Sequence, residues 1–387
     1  MAALLQQRTQ HLNSRRASKT KHFNSTYANT EGTKYAAHHQ NQTQLTNLLW
    51  HFVTLTDSIV SVETSLHSIL SFIKILVFLR YARRHKQLVN DLEALAMEGH
   101  TQERFIWYLK SRVAFRVTKY YLFANASTVF YYWVRPLFDM LINYIKGASF
   151  QPLLPYEGTF PYDPTKLVYY ISTYIITIIG VLFVTVPAIT MDNLYFWYIQ
   201  AITAHYRILH LKVLAMATTA ANGDNSFKEF HHRLALLSQY HRSITAFILE
   251  CNTILGPMLF ANMGIDCFLT CVLIYSFGSL PNLEYVPIYS LLAVANGFQI
   301  FMYCYGGAKL QSEGNDLCDF LYLTLPWDAM SPRMRRLLIL PLMRTQRMNK
   351  LTAYFFTLDY GLFVWVLRTA FSFATVLFTV TGSKTPI

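Results

Sequence analysis

LVYYISTYIITIIGVLFVTVPAITM, residues 167–191, contains no charged side chain. About 20 mostly apolar residues in a helix cross the hydrocarbon core of a bilayer, and this stretch exceeds that length. The apolar pattern continues through Trp197, Ile202 and Tyr206, so the helix extends past the membrane boundary. Gly180 and Pro187 offer a kink within it. Working outward, five further apolar stretches occur at about 52–79, 120–145, 244–277, 285–308 and 351–380. An all-α, polytopic transmembrane helical bundle with six visible spans is the predicted fold.

The 33 Lys and Arg residues orient that bundle. They crowd into the gaps 80–119, 192–243 and 309–350, whereas the alternate gaps hold almost none. Cytoplasmic loops retain Lys and Arg, so the crowded gaps are expected inside and the C-terminal Ile387 outside. A net charge of +12 could also indicate nucleic-acid binding. These cations, however, sit in separate loops flanking apolar spans, and no folded face collects them.

A composition that is 53% hydrophobic and 14% charged, with 28 Phe and 26 Tyr, is too apolar and aromatic for a soluble domain of 387 residues. The five cysteines, Cys251, Cys267, Cys271, Cys304 and Cys318, lack metal-ligand spacing and read as small buried residues. The 13 histidines read as surface or tail residues. The chain holds no Walker loop, HExxH, GxSxG or dinucleotide fingerprint, so neither an enzyme nor a cofactor is expected.

Residues 1–46 form a polar tail rich in Gln, Asn, Thr and His, and residues 47–387 form the membrane domain. Asn222-Gly223-Asp224-Asn225 should break the long third helix. In the first span, Asp57, Glu63, His67 and Lys74 must face protein or a water-filled cavity, because charge at a bilayer centre is costly. Glu250 lies near the cytoplasmic end of the fourth span and Asp266 nearer its middle, and Asp359 and Arg368 in the sixth should point into the protein or lie near a helix end. The fifth span contains Asn296, Gly297, Gln299, Gly306 and Gly307, small and amide residues suited to close helix contacts.

From Gln299 onward the features fall in a specific order: Tyr303-Cys304, Gly307, Leu310, Ser312-Glu313, Trp327, the Arg333–Arg336 run, Met343-Arg344, Gln346, Phe363, Leu367, Ser372-Phe373 and Leu377. This order resembles the C-terminal signature of insect odorant receptors. Leu154–Gly158 and Phe160–Asp163 resemble that family's long outer loop. The resemblance implies a seven-helix subunit of an odorant-gated, non-selective cation channel. The resemblance further implies a heterotetramer with the shared odorant co-receptor, in the plasma membrane of the olfactory neuron dendrite. It also implies that 309–387 forms an anchor and pore region, with the last helix lining the pore. The chain departs from the family at its front, where the first visible span matches the family's second helix. The expectation is that a gene model or splice form has lost the first helix, the alternative being that the polar tail replaces it.

A small, neutral, apolar odorant calls for a hydrophobic cavity with aromatic walls and few polar groups. The resemblance assigns that cavity to Phe52, Ser127, Phe130, Trp133, Tyr174, Ile178, Tyr289, Ala293 and Asn296. The stripe formed by Ala126, Val129, Phe130 and Trp133 fits ordinary helix packing or an interfacial aromatic belt equally well. Val376 and Thr379 match the positions where the family narrows its pore, and they also fit a lipid-facing Val and a Thr bonded to its own helix. Trp327, Met343, Arg344 and Gln346 match the intersubunit anchor, against the alternative of a basic stop signal. Three competing functions stand beside this one: a secondary transporter, motivated by Asp57, Asp266 and Asp359 but without visible paired inverted repeats; a metabotropic receptor, which would place the C-terminus in the cytoplasm; and a truncated, non-functional receptor form.

Overall fold

The computed structural model describes residues 55–146, 166–222, 227–279, 286–347 and 350–382, together with Leu153, Leu154 and Tyr162. Phe52, the polar tail and most of the Leu154–Asp163 loop lie outside the described residues. Seven helices run through what is described. They are α1 (Leu55–Met97), α2 (Thr101–Ile145), α3 (Leu167–Ala220), α4 (Phe227–Ser279), α5 (Val286–Thr324), the short α6 (Pro332–Thr345) and α7 (Tyr360–Gly382). A two-stranded hairpin, β1 (Thr352–Ala353) and β2 (Phe356–Thr357), precedes α7.

Over the described residues the first five apolar stretches fall in long helices that continue beyond them, and the sixth falls in α7 from Tyr360 onward. Helices crossing Ser65–Met97, Leu167–Ala220, Phe227–Gly278 and Tyr360–Thr379 are long and apolar enough to span a membrane. The apolar stretches of α2 and α5 owe their character to Tyr and Trp or are diluted by amides, which lowers their hydropathy without shortening the helix. The expected break after α3 is present: the helix ends at Ala220, and Ala221-Asn222 form a turn. On α3, Ile176, Ile179, Phe183 and Val186 recur at helical spacing and are all exposed. An exposed apolar stripe of this kind is suited to lipid.

The second helix runs through Pro136 to Ile145, the expected end of its apolar stretch. One sequence expectation is corrected in this region. The sixth span does not begin at 351 as a helix. Residues 352–357 form the hairpin, with Thr352 opposite Thr357 and Ala353 opposite Phe356, and α7 starts at Tyr360. Tyr354 occupies the first loop position at φ 55°, a region that non-glycine residues seldom adopt. Asp359 therefore lies at a helix end, one of the two places expected for it. Its Oδ1 accepts the Leu362 N–H at 2.8 Å, so it caps the N-terminus of α7.

The chain forms two compact units, one containing residues 133–179 and the other residues 66–132 and 180–387. The larger unit holds the main core. Within it α4 is central, packing against α5, α6, α7 and β1. The inner face of α7 is a stripe of Leu362, Val366, Ala370 and Ala374, all buried, with the last two against Cys271 of α4. Cys251, Cys271 and Cys304 are buried as expected, and Cys267 and Cys318 are half-buried; all five are free thiols. The Gly306-Gly307 pair allows α5 to approach its neighbours closely. A Cβ at Gly306 would lie 2.6 Å from the Tyr195 hydroxyl, and one at Gly307 would lie 2.2 Å from the Leu358 carbonyl oxygen.

The obstacle at Gly307 is backbone, which cannot swing away. Gly307→Ala should therefore destabilise the fold by about 1–3 kcal/mol through overpacking. Thermal inactivation of the solubilised full chain would measure it, and an unchanged midpoint would mean that the α5–α7 approach is not tight.

Candidate functional site

Lys74 lies within the apolar first span and is 1% exposed. Its ammonium donates to Oδ1 of Asp192 at 2.6 Å, and the Asp192 side chain is equally buried. The Tyr121 hydroxyl donates to Oδ2 of the same carboxylate at 2.7 Å. The Tyr303 hydroxyl donates to Oδ1 and itself accepts from Nδ2 of Asn262 at 2.7 Å. The Tyr195 hydroxyl adds a bond to the Tyr303 carbonyl, also at 2.7 Å. One carboxylate on α3 thus binds α1, α2 and α5 directly and reaches α4 through Tyr303.

Sequence reasoning required a partner for Lys74 and did not name Asp192. A signal was present, because Asp192 is the first charged residue after the uncharged 167–191 stretch. Three more ion pairs join helices nearer the basic end of the bundle. Arg84 grips Glu250 through two nitrogens at 2.6 Å, Lys212 meets Glu103 at 2.8 Å, and Arg207 meets the fully buried Glu313 at 2.9 Å. The expectation of surface histidines fails at two places. His85 and His205 are buried, bonded to the Tyr198 and Tyr240 hydroxyls at 2.9 and 2.8 Å. Aromatic neighbours accept an imidazole that sequence spacing alone assigns to solvent.

The structure brings some of the expected ligand residues together. In the smaller unit the Tyr174 hydroxyl donates to the Trp133 carbonyl, and the Tyr174 ring lies 5.8 Å from that of Tyr170. Tyr170 in turn donates to the Leu153 carbonyl at 2.9 Å. The indole Nε1 of Trp133 is buried and has no acceptor among the described residues. Ile178 is half-buried one turn beyond Tyr174. In the larger unit Phe130 is 63% exposed, and Ser127 is exposed with its hydroxyl bonded to the Phe123 carbonyl at 2.8 Å. Tyr289, Ala293 and Asn296 share one face of α5. Tyr289 packs against Phe277, and Nδ2 of Asn296 donates to Oγ1 of Thr270 at 2.8 Å. A cavity of about 540 Å³ bordered by Ile106, Lys110, Arg207, His210, Asp316 and Phe320 includes none of the expected ligand residues.

Val376 and Thr379 are both exposed, on the side of α7 away from the Ala370 and Ala374 stripe. The Thr379 hydroxyl donates to the Val376 carbonyl at 2.8 Å. Trp327 is held locally, its indole donating to the Tyr322 carbonyl at 2.7 Å. Met343 and Arg344 are exposed near the end of α6, and Gln346 caps that helix.

Long apolar helices joined by buried ion pairs, with an aromatic hairpin ahead of a final spanning helix, define a multi-pass membrane protein. Residues 54–371 match the family model described as 7tm Odorant receptor. The chain belongs to this odorant receptor family, whose members are olfactory membrane receptors rather than enzymes. Odorant receptor 45a of Drosophila melanogaster is 28% identical over 63% of this chain and 62% of its own length. Odorant receptor 13a of the same fly is 22% identical over 84% and 81%. The chain therefore aligns with somewhat under two thirds of the length of relatives such as 45a. The solved olfactory receptor OR5 from Machilis hrabei, in complex with eugenol, superposes with a TM-score of 0.69 at 16% identity, covering 87% of this chain and 85% of that one. Without eugenol the score is 0.65. These likenesses establish the fold.

Removing one member of a buried ion pair leaves the other uncompensated, at a cost of about 3–5 kcal/mol. Lys74→Met should therefore abolish accumulation of folded chain, whereas Lys74→Met combined with Asp192→Leu should restore a large part of it. Fluorescence-detected size exclusion reads both, and a double variant no better than the single one would deny the coupling.

Proposed function

We propose that the chain is an odorant-gated, non-selective cation channel subunit that works in a heteromer with the odorant co-receptor. It resides in the plasma membrane of olfactory neuron dendrites with its C-terminus outside. Family membership supports the receptor role, and the two-faced last helix is the observation that favours a channel. One face of α7 is buried against α4, while Val376 and Thr379 project from the other. Four copies of an apolar side chain at Val376 can close a pore by dewetting, and a hydroxyl ring at Thr379 can meet a hydrated ion. Trp327, Met343, Arg344 and Gln346 contribute to the proposed anchor, for which the exposure of Met343 and Arg344 leaves surface free.

The odorant contacts the aromatic cluster around Trp133 and Tyr174, where the buried indole N–H of Trp133, which has no acceptor among the described residues, can donate one bond to a weakly polar ligand. Ser127, Phe130, Ile178, Tyr289, Ala293 and Asn296 complete the proposed set. Binding opens the channel only to the extent that the ligand favours the open arrangement over the closed one.

Expressed with the co-receptor, the chain should pass an odorant-evoked cation current. Trp133→Phe removes one hydrogen bond and should raise the half-maximal concentration of carbonyl- or hydroxyl-bearing odorants about three- to tenfold. Val376→Cys should react with water-borne thiol reagents during stimulation. Failure of that reaction in resting and stimulated receptors alike would refute the pore assignment.

A further inference from the structure

Asn262, Asp266 and Thr270 lie four residues apart on α4 and form one stripe. Helix α5 meets this stripe at two rungs. Below Asp266, Asn262 donates to the Tyr303 hydroxyl. Above it, Asn296 donates to the Asp266 carbonyl at 3.2 Å and to Thr270, and the Thr270 hydroxyl donates to the same Asp266 carbonyl at 2.7 Å. Both amide groups are thereby oriented, with nitrogens committed to these bonds and oxygens facing elsewhere. Oδ1 of Asn262, Oδ1 of Asn296 and both carboxylate oxygens of Asp266 are buried and receive no hydrogen bond among the described residues. Asn262 and Asp266 are 0% exposed and Asn296 is 6% exposed.

The charge balance is equally incomplete. Lys74 and Asp192, the charges that act on Asp266 through space, already neutralise each other. An ionised Asp266 would add a negative charge inside the bundle that no described cation offsets. Burying an unpaired carboxylate is too costly to persist, and an ionisable group at membrane depth implies a partner or a function. A proton would let one carboxyl oxygen donate to one amide oxygen and would leave the other carboxyl oxygen and the other amide oxygen without a donor. An alkali cation, which binds oxygen ligands of mixed charge, satisfies the carboxylate and both amide oxygens together.

We propose that Asp266, with the side-chain oxygens of Asn262 and Asn296, forms a binding site for a hydrated Na+ ion inside the helix bundle. The site uses neither Val376 nor Thr379 of the proposed pore, and it shares only Asn296 with the proposed odorant set. It also adjoins the last helix: Cys267 follows Asp266 with its thiol 4.0 Å from the Val366 carbonyl of α7, and Cys271 packs on Ala370 one turn further on. Occupancy would thus fix the α4–α5 spacing against which α7 rests.

The test compares thermal inactivation of the detergent-solubilised full chain in NaCl and in choline chloride at equal ionic strength, so it requires no channel activity. Na+ should raise the midpoint by about 2–4 °C, as expected for a ligand well above its dissociation constant. In Asp266→Asn, which keeps size and shape, the two salts should give one midpoint. Should that variant fail to accumulate, Asn262→Ser retains the charge while withdrawing one oxygen, and it should raise the Na+ concentration needed for half the shift about tenfold. Equal wild-type midpoints in the two salts would overturn the proposal. A Na+ effect that persists in Asp266→Asn, or a midpoint that follows pH and ignores Na+, would overturn it too.

Discussion

A carboxylate in the middle of an apolar bundle holds this molecule's helices in register. Asp192 receives a bond from the Lys74 ammonium and bonds from the Tyr121 and Tyr303 hydroxyls. Membrane helices gain little from burying apolar surface against one another, since lipid is just as apolar. Hydrogen bonds and close packing must therefore choose which helices meet. A lone Lys74 or Asp192 would be intolerable at that depth, so each compels the other's helix to be adjacent.

Close packing reinforces that choice where α5 approaches its neighbours. Gly306 lets the Tyr195 side chain rest on the α5 backbone, and Gly307 admits the Leu358 carbonyl. Leu358 ends the short extended segment between the hairpin and α7, and its N–H bonds back to the Leu351 carbonyl at 3.0 Å. The hairpin is in turn pinned to α4, because Oδ1 of Asn252 accepts the Thr352 N–H and Nδ2 of Asn252 donates to the Lys350 carbonyl, both at 3.0 Å. The aromatic tip joins the same contact through Phe260, whose ring lies 5.6 Å from Tyr354 and 5.3 Å from Phe355. The entry of α7 into the bundle is thus fixed by α4 and α5, which bears directly on a helix proposed to move during gating.

The apolar stretches, the break after Ala220 and the need for a partner at Lys74 were legible because each depends on a few neighbouring residues. The C-terminal order of motifs was specific enough to carry the family resemblance, which the match over residues 54–371 bears out. For Asp359 the sequence left two places open, inside the protein or near a helix end, and the bond from the Leu362 N–H selects the helix end. Sequence reading missed the hairpin: Tyr354, Phe355 and Phe356 are apolar enough to extend a hydrophobic window, yet the backbone turns there. His205 was misjudged for a related reason, since its acceptor and donor, the Leu92 carbonyl and the Tyr240 hydroxyl, come from distant parts of the chain.

Sequence alone determined that the chain crosses a membrane as helices, because hydrocarbon forces every backbone N–H and C=O to bond within its own segment and leaves a run of apolar residues as the mark. Tertiary structure decided which helix each buried charge answers to, where the last helix begins, and that Asn262, Asp266 and Asn296 share one buried stretch of the α4–α5 contact. Those facts are set by contacts between residues far apart in the chain, and such contacts leave no period or spacing in a single sequence.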